Sequence, residues 1–323
     1  MVLTPTMRDS SAAIFVDGVM VAAIEEERFR RVKHWAGFPS LAVQFCLKEA
    51  GVTIDRLDHI AIGRDPKAKL FKKVLFLLRN FSGSIDVVKD RIANSKKVTS
   101  LEEEFHQLTR ADKGQIKQKI HQVEHHRSHL ASAFFASPFE EAALLSIDGS
   151  GDFTTTMIGI GKEHSIEVID SVDFPHSIGI FYTAFTQLLG FPNYGDEYKV
   201  MGLAPYGEAK YVDKLRTIVN FTDKDLFTLD LSYFKSATEG VISYREDHTP
   251  VVAPLFSDKM VATFGEPRKK EEPISQYHKD TGSLCAKTDR TRYLSYLKSF
   301  TKKNRASKCL HCGRSSAKQC SQW

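Results

Sequence analysis

The sequence predicts a mixed α/β fold made of two similar halves with a helical insertion in the first. Two observations carry this expectation. An acidic, small-residue stretch, Asp9-Ser10-Ser11, runs into paired β-rich segments, and the same arrangement returns at Ala142, where AALLSID passes through a Gly-rich turn into FTTTMIGIG. Segments with helical apolar spacing follow each pair, so strands and helices alternate along the chain. Composition agrees: 42% hydrophobic, 11% aromatic and 26% charged residues in a chain of 323 are ordinary globular values, which exclude a disordered, collagenous or disulfide-scaffold protein.

The elements follow in order. AAIFVDGVMVAAIEEER holds two β-rich runs separated by Asp17-Gly18, a dipeptide that tolerates positive φ at both positions and so favours a two-residue hairpin turn. Pro39 and Ser40 open a helix over Leu41 to Ala50, and Gly51 stops it. Leu57 to Gly63 reads as a buried strand. Residues 64–120 carry 14 Lys or Arg against 7 Asp or Glu, with interrupted helical spacing, which predicts a helical insertion with a solvated charged surface. After the second β pair a helix spans Ser177 to Leu189, ended by Gly190 and Pro192, and the loop-rich NYGDEYKVMGLAPYG follows. A duplicated acidic loop and hairpin is how actin-like and sugar-kinase-like ATPases build two lobes that grip phosphate between two loops.

The net charge of +5 is uneven. Thr281 to Trp323 holds ten Lys or Arg and one acid, Asp289, so residues 1–280 carry 35 basic and 39 acidic side chains. This net acidic body argues against a nucleic-acid-binding protein working through the basic insertion and the Cys-bearing tail. No apolar run approaches the ~20 residues of a membrane helix, and the start lacks an export pattern, so a cytosolic setting with no membrane partner is expected. Cys46, with apolar neighbours, is expected to be a reduced core residue.

Three groups of residues suggest chemistry. In HHRSH, a helix places His125 and His129 at i and i+4 on one face, where two imidazoles can share a metal, and turns His126 about 100° away. The alternative is a pair of surface or capping histidines. Asp148, ending the AALLSID strand at a Gly-rich loop, is the candidate third ligand. Two imidazoles and one carboxylate suit a divalent iron, zinc or manganese ion with positions open to substrate. Gly149, Ser150, Gly151 and Asp152 form a loop whose glycines let backbone N–H groups approach an anion, although the same residues suit a plain hairpin turn. Lys199 sits beside glycines, either to neutralise phosphate oxygens or as a solvated surface group. Cys309-x-x-Cys312, with His311 and Cys320, has the form of a zinc half-site, but no second pair completes a tetrahedral set.

With DSSAAIFVDG, EEERFRRVKHWAGFPS, HHRSHLASAF, SIDGSGDFTTT and GDEYKVMGLAPYG in this order, the sequence resembles the N-terminal part of the O-carbamoyltransferases of the NodU/CmcH type, from Asp9 to about Asp280. The resemblance implies a Kae1-like domain of the actin and sugar-kinase (ASKHA) class over residues 1–280, with duplicated lobes of which the second is incomplete. In the family this domain is joined to a smaller YrdC-like one. It implies that ATP and carbamoyl phosphate give carbamoyl adenylate, whose carbamoyl group passes to a hydroxyl of a small-molecule alcohol acceptor. It puts a divalent metal, iron by family, on His125, His129 and Asp148, and phosphate on Gly149, Ser150, Gly151 and Asp152. Asp9 and Lys199 are the catalytic candidates. A tRNA threonylcarbamoylation subunit or another actin-like ATP-dependent enzyme shares the His-x-x-x-His logic, but the Arg-rich EEERFRRVKHWAGFP segment favours the carbamoyltransferases.

The ends depart from the family pattern. MVLTPTMR stands where the family has a strand and a histidine, and beyond Asp280 the pattern stops. Both departures suggest reading-frame slips: a neighbouring frame of CLHCGRSSAKQCSQW can encode ACIAGGVAQNSVANG, which resembles the family's adenosine-contacting segment. The tail 281–323 is then expected to be out of frame and of doubtful fold, and the chain alone to be inactive.

Overall fold

The computed structural model describes residues 1–4, 9–79, 101–208, 210–221, 226–239, 242–244, 248–284 and 309–312. The chain divides into two compact units, Met1–His125 with Ile242–Val251, and His126–Val241 with Val252–Trp323.

In the first unit, β1 (Val2–Thr4), β2 (Ser11–Val16) and β3 (Val19–Glu25) form an antiparallel meander. Two later strands, β4 (Ile60–Ile62) and β5 (Ile120–Gln122), extend it in parallel, giving the order β3-β2-β1-β4-β5. Val2–Thr4, for which the sequence reading has no strand, therefore supply the central strand, with Val2 opposite Ala13 on one side and Ala61 on the other. The hairpin turn at Asp17-Gly18 has φ of 50° and 82°, the two positive values its residues favour.

A short α1 (Glu27–Arg30) precedes α2 (Ser40–Ala50). The apolar residues Ala42, Val43, Cys46 and Leu47 of α2 are buried, a helical stripe facing the core beside β2 and β3. Gly51, at φ 63°, closes α2 with its N–H on the Leu47 and Lys48 carbonyls. Cys46 is fully buried, its Sγ directed at the Ala12 carbonyl oxygen, 3.5 Å away.

The insertion contributes α3 (Leu70–Arg79), α4 (Leu101–Thr109) and α5 (Lys113–Lys119). It is not only a solvated surface. Phe105 of α4 and Ile116 of α5 enter the first unit's core, and Phe105 meets Phe38 edge-on at 5.0 Å between ring centroids. Burying one aromatic side chain outweighs the charge around it, and a charge count does not register that burial.

The second unit holds α6 (His125–Phe134), which begins at the last residue of the first unit. Its sheet is built on β6 (Glu141–Gly151), β7 (Thr154–Lys162) and β8 (Ser165–Asp173), again an antiparallel meander. The segment Cys309–Cys312, which has the form of a zinc half-site without a second pair, lies in parallel along β6 with Cys309 opposite Ala143 and Cys312 opposite Ser146. Cys320 lies outside the described residues. Residues 142–148 of β6 are buried without interruption, as in a strand covered on both faces. Leu130, Ala133 and Phe134 of α6 pack on Ala142, Leu144 and Met157.

Two sequence expectations change here. The strand does not stop at Asp148: β6 runs to Gly151 through an irregularity between Ile147 and Gly151, and the turn narrows to Asp152-Phe153 at φ 51° and 77°. β8, whose Glu167 and Asp170 hide a period-two alternation, has no counterpart in the sequence reading. α7 (Ile178–Leu188) and α8 (Glu197–Leu203) complete the part of this unit that carries the site. Among the described residues no helix is long and apolar enough to cross a membrane.

Candidate metal centre

α6 sets the first two candidate ligands one helical turn apart, and β6 delivers the third. His125, His129 and Asp148 each offer a donor atom within 4.8 Å of the other two, and His129 Nε2 lies 3.6 Å from Asp148 Oδ2. That separation is long for a direct hydrogen bond. It is close to the roughly 3.4 Å between two donors that share one tetrahedral ion with bonds of about 2.1 Å. The donor set therefore fits a divalent ion of the iron, zinc or manganese class.

Asp148 is held through both its side chain and its backbone. Asp148 is buried, and the Gly149 N–H donates to its Oδ1 at 2.7 Å. Ser177 caps α7 by accepting from the Ile180 N–H at 3.1 Å, and its hydroxyl lies against the Asp148 and Gly149 carbonyl oxygens at 3.1 and 2.7 Å. Gly179, in the first turn of α7, comes so close that a Cβ there would sit 2.5 Å from the Gly149 nitrogen. The helix start and the ligand loop thus share one contact surface.

His126 plays a different part from its neighbours. It is fully buried, with Nε2 3.0 Å from the Thr154 carbonyl oxygen and Nδ1 2.8 Å from Ser146 Oγ. Because a carbonyl only accepts, Nε2 carries the proton, and the ring fastens α6 to β6 and β7.

The other sequence candidates are placed as follows. Gly149, Ser150 and Gly151 lie in the irregular end of β6 and Asp152 in the turn; the Gly149 amide is engaged by Asp148. Lys199 of α8 is ion-paired with the buried Asp196 at 2.7 Å and stands over the rings of Phe191 and Tyr198 at 5.6 and 5.9 Å, so it is not simply a solvated lysine. Beyond α8, GLAPYG ends at Gly207, and the next residue's N–H, on Glu208, donates to the buried Asp280 at 2.9 Å.

Asp9 belongs to the first unit and has company that spacing does not reveal. Asp9, Glu27 and His34 also bring donor atoms within 4.8 Å of one another. His34 Nδ1 is 2.6 Å from Asp9 Oδ1, and the His34 N–H donates to Glu27 Oε2 at 2.9 Å. Ser10, almost fully buried, ties Asp9 to the far loop: its Oγ donates to the Gly37 carbonyl at 2.7 Å and its own carbonyl accepts from the Glu26 N–H at 2.8 Å. The segment EEERFRRVKH contains both Glu27 and His34, but only the folded chain brings Asp9 to them.

Fold and site together define an α/β protein with imidazole and carboxylate donors gathered in two groups, His125, His129 and Asp148, and Asp9, Glu27 and His34. The family described as carbamoyltransferase N-terminus matches residues 3–288, and the chain belongs to it. A protein of Synechocystis sp. described only as uncharacterized is 37% identical over 285 residues, covering 84% of this chain and 43% of its own. The nodulation protein NolNO of Sinorhizobium fredii is 31% identical over 279 residues, 85% of this chain and 35% of its own. NolO of Bradyrhizobium diazoefficiens is 42% identical over 161 residues, 50% of this chain and 25% of its own. The chain thus spans less than half the length of each of these relatives.

Proposed function

We propose that the chain is the ATP- and metal-binding part of an O-carbamoyltransferase that forms carbamoyl adenylate from ATP and carbamoyl phosphate and passes the carbamoyl group to a hydroxyl of a small molecule. The observation that carries the reading is the convergence of His125, His129 and Asp148 in a chain of this family. Strand order supports an actin and sugar-kinase-like, Kae1-like duplication: each of the two larger sheets has an antiparallel meander whose first strand is flanked by a later parallel one.

His125, His129 and Asp148 would hold the ion, iron by resemblance, with zinc and manganese also suited to the donors. When bound, it acts as a Lewis acid toward a carbonyl or phosphoryl oxygen, and a carbamoyl carbonyl needs such help because its nitrogen donates electrons into it. The chain's own residues do the rest. The Gly149 N–H holds the Asp148 carboxylate, and the Ser177 hydroxyl holds the Asp148 and Gly149 backbone carbonyls. The backbone from Gly149 to Asp152 is the proposed phosphate cradle, and an anion entering it competes with Asp148 for the Gly149 amide. Lys199 is the proposed cation for phosphate oxygens, turned from Asp196 toward substrate. The attacking alcohol needs positioning more than a protein nucleophile.

ATP titration into the purified chain tests the reading, with saturable binding weakened by Lys199→Ala as the expected result. No ATP binding together with a salt-sensitive DNA or RNA shift would replace it by the nucleic-acid reading. By resemblance to a family with a further YrdC-like domain, the chain alone is expected to bind without completing transfer, and turnover of ATP, carbamoyl phosphate and an alcohol would contradict that.

A further inference from the structure

We infer that Asp9, Glu27 and His34 form a second divalent-cation site, contained within the first unit. Two carboxylates and an imidazole suit a manganese- or zinc-class ion, which accepts both oxygen and nitrogen donors. The inference needs only the geometry of this unit and does not rest on the carbamoyl-transfer reading.

The three residues come from separate parts of the chain: Asp9 before β2, Glu27 in α1, and His34 in the loop that leads toward α2. Their side chains are 28%, 18% and 25% exposed, so two carboxylates are partly withdrawn from water at one point. Arg28 lies 3.8 Å from Glu27 and also 3.2 Å from Glu25, so its charge is shared between them. Partly desolvated like charges are costly to bring together unless a cation offsets them.

The donors are also held in place by buried groups that are not themselves ligands. Glu26, fully buried, accepts from the Ala42 N–H at 2.8 Å, the Leu41 N–H at 3.2 Å and Arg30 Nε at 2.8 Å. Arg30 in turn lies 4.5 Å over the ring of the buried Trp35, next to His34. Glu26 thus locks α1, carrying Glu27, to the start of α2, while Ser10 locks Asp9 to the same loop. Asp9 Oδ1 and His34 Nδ1, 2.6 Å apart, need to open by only about 0.4 Å to reach the roughly 3 Å between adjacent octahedral donors with bonds near 2.1 Å. An ion can therefore replace the proton they share with little rearrangement.

The test is equilibrium binding of Mn²⁺ and, separately, Zn²⁺ to the chelator-stripped full chain, with electron paramagnetic resonance reporting free Mn²⁺. In a His125→Ala/His129→Ala background one equivalent is expected to remain, and adding Glu27→Gln or Asp9→Asn should weaken it on the order of tenfold or more. Circular dichroism and the thermal midpoint check that each variant is folded. Residual binding unchanged by both substitutions, or none at all in a folded His125→Ala/His129→Ala chain, overturns the inference. A metal content that His125→Ala/His129→Ala does not lower counts against the proposed function instead, so the two failures are separable.

Discussion

Gly179→Ala is the substitution for which the structure gives a worked magnitude. A Cβ at this position would lie 2.5 Å from the Gly149 nitrogen, 2.6 Å from the Asp148 carbonyl carbon and 2.7 Å from its oxygen, whereas ordinary contact begins at 3.4 Å. Backbone surrounds it, so relief requires opening the helix start from the ligand loop by about 0.9 Å. Overpacking of this kind costs about 1–3 kcal/mol. Metal donors tolerate displacements of about 0.2 Å, so the same shift should weaken ion binding at Asp148 on the order of tenfold or more. The control is Gly202→Ala in α8, where a Cβ meets nothing within 4 Å; it should stabilise by about 0.5–1 kcal/mol. Urea unfolding followed by circular dichroism gives the stability change, and Zn²⁺ titration the affinity. A Gly179→Ala chain as stable as wild type with unchanged affinity would refute the close contact and its role in placing Asp148.

Three further outcomes follow from the packing. Phe105→Ala removes a fully buried ring and should lower stability by about 3–5 kcal/mol in thermal or urea unfolding; a loss below 1 kcal/mol would mean that the insertion does not share the core. Cys46, whose thiol burial pushes above its ordinary pKa, should resist iodoacetamide in the native chain and react only as the first unit unfolds, read from the mass of its peptide. The Glu208 N–H, then Gln276 and Lys210, hold the Asp280 carboxyl below the usual carboxylate range. Its stabilisation is therefore complete above the unfolded value of about 3.9 and lost as pH falls through the lowered folded value. The stability gap between wild type and Asp280→Asn should close on acidification, and a gap that does not vary with pH would contradict the assignment.

What could be read from the sequence was local. Asp17-Gly18 named its own turn, Gly51 ended α2, and the i, i+4 spacing of His125 and His129 anticipated a shared helix face because each signal lies within a few residues. Asp148 was within reach because the buried run of β6 leads directly to it. What could not be read depended on distant pairing. Val2–Thr4 is too short for propensity to mark, and it is a strand because Ala13 and Ala61 flank it. Phe105 sits among acidic residues in a helix whose composition says surface, and only packing against Phe38 reveals its side. His34 and Glu27 become partners of Asp9 through the hydrogen bonds of Ser10 and Glu26, which no spacing rule contains.

Bound metal, measured by inductively coupled plasma mass spectrometry on the purified chain and on His125→Ala, His129→Ala and Asp148→Asn, tests the central claim most directly. The structure predicts that each substitution removes the same single equivalent of iron, zinc or manganese while the fold is kept. Wild-type metal content in all three folded variants would contradict it.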